Sequence, residues 1–274
     1  MDNKNPFSKW LVASDIDGTL NNKARKLPKR NEEAIKRFVQ LGGKFTLASG
    51  RNPQSMKKHF ENLPIYGTPA VVINGAGLYD FQKEEMIYFS PMSDEAMKLA
   101  IAAARKFPNV DVIVVAKDII YITGIGWFGM WFVAADKLSY KHIWNIDKVP
   151  KKDWGKVIYS GDPLTISRVK KYFESMEDPD LTLMSSSVAS FEILARNTHK
   201  GTAVLKLAEI LGIDREHVGA IGDYFNDYEM LKSVGVPACC GQAPDELKEV
   251  SEFVACHCNY GAVADFLEYI ETKK

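Results

Sequence analysis

Apolar and polar positions alternate in two different manners along this chain. Near the start, an apolar run over 10–14 stops at Asp15, which predicts a short buried parallel strand. Residues 31–41 then place Ala34, Ile35, Phe38 and Val39 at helical spacing, and Gly42-Gly43 ends that helix. The run 44–48 predicts a second strand that enters Ser49-Gly50-Arg51. A short helix over 53–60 follows, then a third strand over 70–73 that runs into Asn74-Gly75. The same alternation returns late in the chain. Val204, Leu207, Ala208 and Leu211 form one stripe of a helix over 201–211, with Gly212 as its stop. A strand over 218–221 precedes Gly222-Asp223, a helix over 228–233 follows, and short strands over 236–239 and 253–255 close the pattern.

The middle is built otherwise. From about 84 to 190 the chain is rich in aromatics, with Trp127, Phe128, Trp131, Phe132, Tyr140 and Trp144. Helices are predicted over 94–106 and 165–175, and strands over 110–115, 119–122 and 156–159. Mixed strands and helices of this kind suggest a separate α+β unit. The expected organisation is therefore a discontinuous α/β domain, 1–84 with 191–274, carrying an insertion over 85–190. Spacing agrees: Asp17 and Ser49 are 32 positions apart, room for one loop, helix and strand, whereas 122 residues separate Gly77 from Lys200. Strand–helix alternation implies a doubly wound parallel sheet, whose ligands gather beyond the carboxyl ends of the strands.

Composition narrows the function. The 274 residues carry 35 Lys+Arg against 35 Asp+Glu, so a polybasic footprint for nucleic acid or an anionic membrane is not expected. A hydrophobic fraction of 46% with 26% charged residues fits an ordinary folded protein. The most apolar window, 127–135, is far short of the ~20 residues that span a bilayer. The N-terminal stretch is polar where a signal peptide would be apolar. Cys239-Cys240 and Cys256-His257-Cys258 do not have zinc-knuckle spacing and are expected to be reduced structural thiols, which implies a cytoplasmic address.

Four loops at predicted strand ends carry complementary polar groups. Asp15-Ile16-Asp17-Gly18-Thr19 places two carboxylates beside a glycine that permits a tight turn with converging N–H groups, an anion cradle or a surface Asx-turn. Ser49-Gly50-Arg51 offers a hydroxyl and an amide to a phosphoryl oxygen, or merely a helix cap. Lys200 stands at a helix start, against the helix dipole. Gly222-Asp223-Tyr224-Phe225-Asn226-Asp227 follows an apolar strand and suits a Mg2+ ligand as well as a capped loop.

In this order, the four loops resemble the haloacid dehalogenase (HAD) superfamily of phosphohydrolases. The likeness is closest to its Cof-like branch (type IIB), whose cap is inserted after the second motif. Ile73-Asn74-Gly75-Ala76, Gly241-Gln242-Ala243 and Asn259-Tyr260-Gly261 add to it. Ser49, Gln242 and Tyr260 stand where Thr, Asn and an acidic residue are common. The resemblance implies a HAD/Rossmann-like core with an α+β cap and a Mg2+-dependent phosphatase working through an aspartyl-phosphate. Asp15 would be the nucleophile and Asp17 the general acid and base. Ser49, Gly50, Lys200 and Asn226 would bind phosphate, and Asp15, the Asp17 backbone carbonyl and Asp223 would bind the metal. Asp227, Arg51 and Asn74 would support them. Trp127, Trp131, Tyr140 and His142 are conceivable cap contacts, though packing explains each as well. The implied partner is a small phosphorylated metabolite, a sugar phosphate or similar, for a monomer or weak homodimer that binds neither nucleic acid nor membrane. A phosphomutase, a sucrose- or mannosylglycerate-type phosphatase, and a non-enzymatic phosphoacceptor module are the alternatives. The last needs no cap and no acid two positions after the nucleophile.

Overall fold

The apolar run at the start forms β1 (Leu11–Ser14), buried along its whole length. It pairs in parallel on both sides, so its carboxyl end and Asp15 emerge between two neighbouring strands. This computed structural model describes residues 5–61, 63–65, 67–124, 129, 138–177 and 179–273. They fall into two compact units, Met1–Ile87 with His199–Lys274, and Tyr88–Thr198.

In the first unit, α1 (Lys29–Gln40) buries Ile35 and Phe38 of the predicted stripe, leaves Ala34 and Val39 half-buried, and stops where Gly42 adopts φ 94. β2 (Lys44–Leu47) pairs with β1, and α2 (Pro53–Glu61) follows. β3 (Ala70–Val72) differs from expectation. It joins the edge of the main sheet through the parallel bridge Ala48–Val71 and pairs antiparallel with β4 (Gly77–Asp80), which lies beside β5 (Glu85–Phe89) in a three-stranded sheet. The buried turn Ile73–Gly75 lets the chain double back there.

The second unit begins with α3 (Asp94–Lys106), started by the Ser93 side chain accepting from the Ala96 N–H. β6 (Asp111–Ala116), β7 (Ile120–Thr123), β8 (Tyr140–His142) and β9 (Trp154–Ser160) come next. α4 (Pro163–Glu174), β10 (Leu181–Ser187) and β11 (Ser190–Ala195) complete it. The six strands form one sheet in the order β10-β11-β9-β6-β7-β8. Val112, Val114, Val157, Tyr159, Phe191 and Ile193, alternate residues of three strands, share a core with α3 and α4. The next residues in that alternation, Lys156 and Glu192, point to the opposite face and form a buried ion pair of 3.0 Å. The boundary expected at 190 is corrected here. β11 pairs with β9 and β10 over its length, so its ladder holds it in the second unit and the junction falls at 198/199.

The chain then forms α5 (Lys200–Leu211), β12 (Val218–Gly222), α6 (Tyr228–Ser233), β13 (Val236–Cys239), α7 (Asp245–Glu249), β14 (Phe253–Val254) and α8 (Ala262–Glu271). The main sheet is parallel throughout, ordered β14-β13-β12-β1-β2. Buried Asn31 on α1 ties α8 to the loop after β1: its amide donates to the Leu20 carbonyl at 2.8 Å and accepts from the Ala264 N–H at 2.9 Å. Among the described residues, no helix is long and apolar enough to cross a membrane. The four cysteines are free, and burial raises the pKa of each thiol.

Candidate active site

The carboxyl ends of β1 and β12 bring the site together. Asp15 continues the ladder, its N–H donating to the Ile221 carbonyl at 3.0 Å, so the carboxylate is aimed by the sheet itself. Lys200, the first residue of α5, is fully buried. Its Nζ lies 2.6 Å from Asp15 Oδ1 and 2.6 Å from Asp227 Oδ1. The other Asp227 oxygen accepts from the N–H groups of Asp223 (3.0 Å) and Tyr224 (3.3 Å), which fixes the loop after β12. Asp223 in turn accepts from the Thr19 hydroxyl at 3.0 Å.

Two glycines make this crowding possible. A Cβ at Gly18, where φ is 91, would stand 2.4 Å from an Asp223 oxygen, and one at Gly222 would stand 2.4 Å from the Asp227 carboxyl carbon. Oxygens of Asp15, Asp223 and Asp227 all lie within 4.8 Å of one another. A cluster made only of carboxylate oxygens suits a hard divalent cation rather than a soft one.

Electrostatics follow from burial. Three carboxylates share one ammonium in a dry environment, so the charge does not balance. Burial pushes the Asp15 carboxyl up to about 8, partly opposed by Lys200 and reinforced by Asp227 and Asp223. Burial, with Asp227 second, lifts Asp223 to about 6. Burial alone would lower Lys200, but Asp15 and Asp227 outweigh it and keep the ammonium charged beyond the usual lysine range.

The second loop lies alongside. Ser49 is buried, and its Oγ accepts from the Arg51 N–H at 3.3 Å. The Ser49 and Arg51 carbonyls accept from the N–H groups of Asn74 (3.0 Å) and Ile73 (2.9 Å). Those latches coincide with strain: Ile73 and Asn74 have φ of 54 and 53, and a β-branched residue held there costs roughly 1–3 kcal/mol. The Arg51 guanidinium grips the Asp17 carboxylate, Nη2 lying 2.8 Å from Oδ2.

Comparison with known proteins gives the family. The family model of haloacid dehalogenase-like hydrolases matches residues 12–267. The chain belongs to that family. A Bacillus subtilis protein named 5-amino-6-(5-phospho-D-ribitylamino)uracil phosphatase YwtE is 29% identical, across 94% of this chain and 97% of its own. Phosphatase YwpJ of the same organism is 26% identical across 95% and 99%. A haloacid dehalogenase-like hydrolase from Bacteroides thetaiotaomicron superposes with a TM-score of 0.83 at 22% identity, over 95% of this chain and 99% of that one. The HAD subclass IIB sugar phosphatase BT4131 gives 0.81 at 19%, over 96% and 99%. This HAD-family chain is of the Cof-like, type IIB kind and is a phosphatase enzyme.

Of the residues singled out in the sequence, Asp15, Lys200, Asp223 and Asp227 converge. Asn226 is half-buried on the turn Phe225–Asp227. The acidic cluster is formed by the carboxylates of Asp15, Asp223 and Asp227, while the Asp17 carboxylate is turned to Arg51. Two contributors escaped sequence reasoning: Thr19, and Gln242, whose amide donates to the Gly18 carbonyl at 2.7 Å and accepts from the Cys258 N–H at 3.0 Å. Only the Gly241-Gln242-Ala243 likeness pointed near the latter. Trp127 and Trp131 lie outside the described residues. Tyr140 and His142 sit on β8, with a His142 ring nitrogen hydrogen-bonded to the Gly124 carbonyl.

Proposed function

We propose that this HAD phosphatase is Mg2+-dependent and hydrolyses small phosphorylated metabolites, sugar or polyol phosphates, through an aspartyl-phosphate on Asp15. The observation that carries the reading is the buried Lys200 shared between Asp15 and Asp227 beside Asp223. Asp15, Asp223 and the Asp17 backbone carbonyl would hold the cation, with Asp227 next to them. The bound ion supplies positive charge that ionises the carboxylates and screens them from an anionic substrate.

The chain's own groups do the rest. Asp15 attacks phosphorus in line, and covalent capture splits a very slow hydrolysis into two easier steps. Lys200 neutralises phosphoryl charge and keeps Asp15 aligned, and Ser49, the Gly50 amide and Asn226 bind phosphoryl oxygens. Asp17 gives a proton to the leaving oxygen, then takes one from the water that opens the aspartyl-phosphate. Asn74 supports the Ser49 loop. Support for the substrate class comes from the relative named for a phosphoribitylamino-uracil and the neighbour named a sugar phosphatase. The unit 88–198 would be the cap that excludes water and reads the leaving group.

The test is release of inorganic phosphate across a panel of phosphorylated metabolites, with the Asp15→Asn protein as blank and with EDTA and Mg2+ arms. Expected is Mg2+-restored phosphate release from sugar or polyol phosphates. Metal-independent turnover, an active Asp15→Asn protein, or an isomeric sugar phosphate as product would overturn it.

A further inference from the structure

We infer that Arg51 is the positioning residue of Asp17. This rests on the acid–base role proposed for Asp17. The Asp17 side chain is 46% exposed, whereas Arg51 is only 18% exposed. An exposed carboxylate on a turn samples several rotamers, and a proton donor must stay within hydrogen-bond reach of the leaving oxygen. The guanidinium fork supplies the missing constraint. Nε donates to Oδ2 at 3.0 Å and Nη2 donates to Oδ1 at 3.1 Å, one hydrogen bond to each carboxylate oxygen.

A guanidinium only donates, and its planar fork fixes the plane of the carboxylate it grips. As the P–O bond to the leaving group breaks, the proton held by the Asp17 carboxyl passes to the leaving oxygen, and the carboxylate formed closes on the fork. In the second step Asp17 takes a proton from the water attacking the aspartyl-phosphate, restoring the acid.

Ordinary surface ion pairs hold little, but this one is bidentate and its arginine is pinned at the backbone. The Arg51 N–H donates to Ser49 Oγ, and its carbonyl accepts from Ile73. One segment, 49–51, thus carries both the proposed phosphate contact and the hold on the acid.

The experiment compares Arg51→Met and Arg51→Lys with wild type on p-nitrophenyl phosphate, whose leaving group needs no proton, and on glycerol 3-phosphate or the best alkyl phosphate of the panel. The readout is the ratio of kcat/KM values, which reports steps up to aspartyl-phosphate formation. Arg51→Met is expected to lower the alkyl-to-aryl ratio about tenfold to a hundredfold, part of the range general acids supply, with only part of the loss recovered in Arg51→Lys. Added to Asp17→Asn, it should change the ratio no further. Equal losses on both substrates, or an additive double variant, would overturn the assignment and make Arg51 a substrate contact. An Asp17→Asn protein with a normal ratio would sink the acid–base reading itself. Crystals provide a readout independent of turnover: Asp17 should hold one rotamer in wild type and several in Arg51→Met. A single unchanged rotamer in the variant overturns the inference.

Discussion

The two units each bury ionised groups, and the contrast between those clusters separates support from chemistry. In the second unit Lys156 meets Glu192 at 3.0 Å on one sheet face. In the first, Lys200 meets Asp15 and Asp227 with Asp223 close by. A buried pair that balances is a packing solution, stable enough when its partners stay together. Three carboxylates around one ammonium leave negative charge that the fold does not neutralise, and burying such charge is costly. Stability alone gives no reason to keep it, and the excess is what the proposed cation and phosphoryl group would use.

The comparison is sharpened most by removing the central carboxylate. Asp15→Asn is expected to lower phosphate release by about four orders of magnitude or more, as loss of a nucleophile does elsewhere. In EDTA its melting temperature should not fall, because one unbalanced charge has gone while the Asp227–Lys200 pair remains. A large thermal loss with Asp15→Asn would mean that the cluster is a structural pair like the other one.

Breaking each cluster at its cation comes next. Lys156→Met and Lys200→Met both strand buried carboxylates, and each should cost about 3–5 kcal/mol in urea unfolding. Repair should differ. Glu192→Leu added to Lys156→Met should return stability to within about 1 kcal/mol of wild type, since a buried ion pair is replaceable by packed apolar groups. Added Mg2+ should recover part of the Lys200→Met loss and none of the Lys156→Met loss, by linkage to the state that binds it. Equal recovery in both would erase the distinction.

What could be read from the sequence follows the same division. Asp15 and Asp223 stand at or next to the ends of apolar strands, and Lys200 at a helix start, so a one-dimensional pattern already placed them together. The Arg51–Asp17 grip and the Thr19–Asp223 bond join residues 34 and 204 positions apart and depend on rotamers, which spacing does not encode. β10 escaped because its second half, Met184–Ser187 in sequence Met-Ser-Ser-Ser, has no apolar alternation of its own; pairing with β11 makes it a strand. β11 (Ser190–Ala195) was not read as a strand either, and that omission moved the expected domain junction. β3 was legible as a strand but not as one that joins a second, antiparallel sheet, since the Ile73–Gly75 turn that redirects the chain needs left-handed backbone at a β-branched residue.

The smallest expected effect concerns protons. In EDTA the folded Asp15 carboxyl is raised to about 8 and Asp223 to about 6, both by burial first, against about 4 when unfolded. Between those limits the folded protein binds more protons than the unfolded one, so stability falls as pH rises from about 4 to 8. Lys200, raised in turn by its two carboxylates, adds a loss only above the ordinary lysine range. Asp15→Asn removes the larger carboxyl contribution. The difference in melting temperature, variant minus wild type, should therefore grow steadily across that window in EDTA and shrink when Mg2+ is present, because the cation competes with protons for the same oxygens. A flat difference would mean that Lys200 alone keeps Asp15 ionised at every pH, and the three-carboxylate cluster would then behave as balanced, like Lys156 with Glu192.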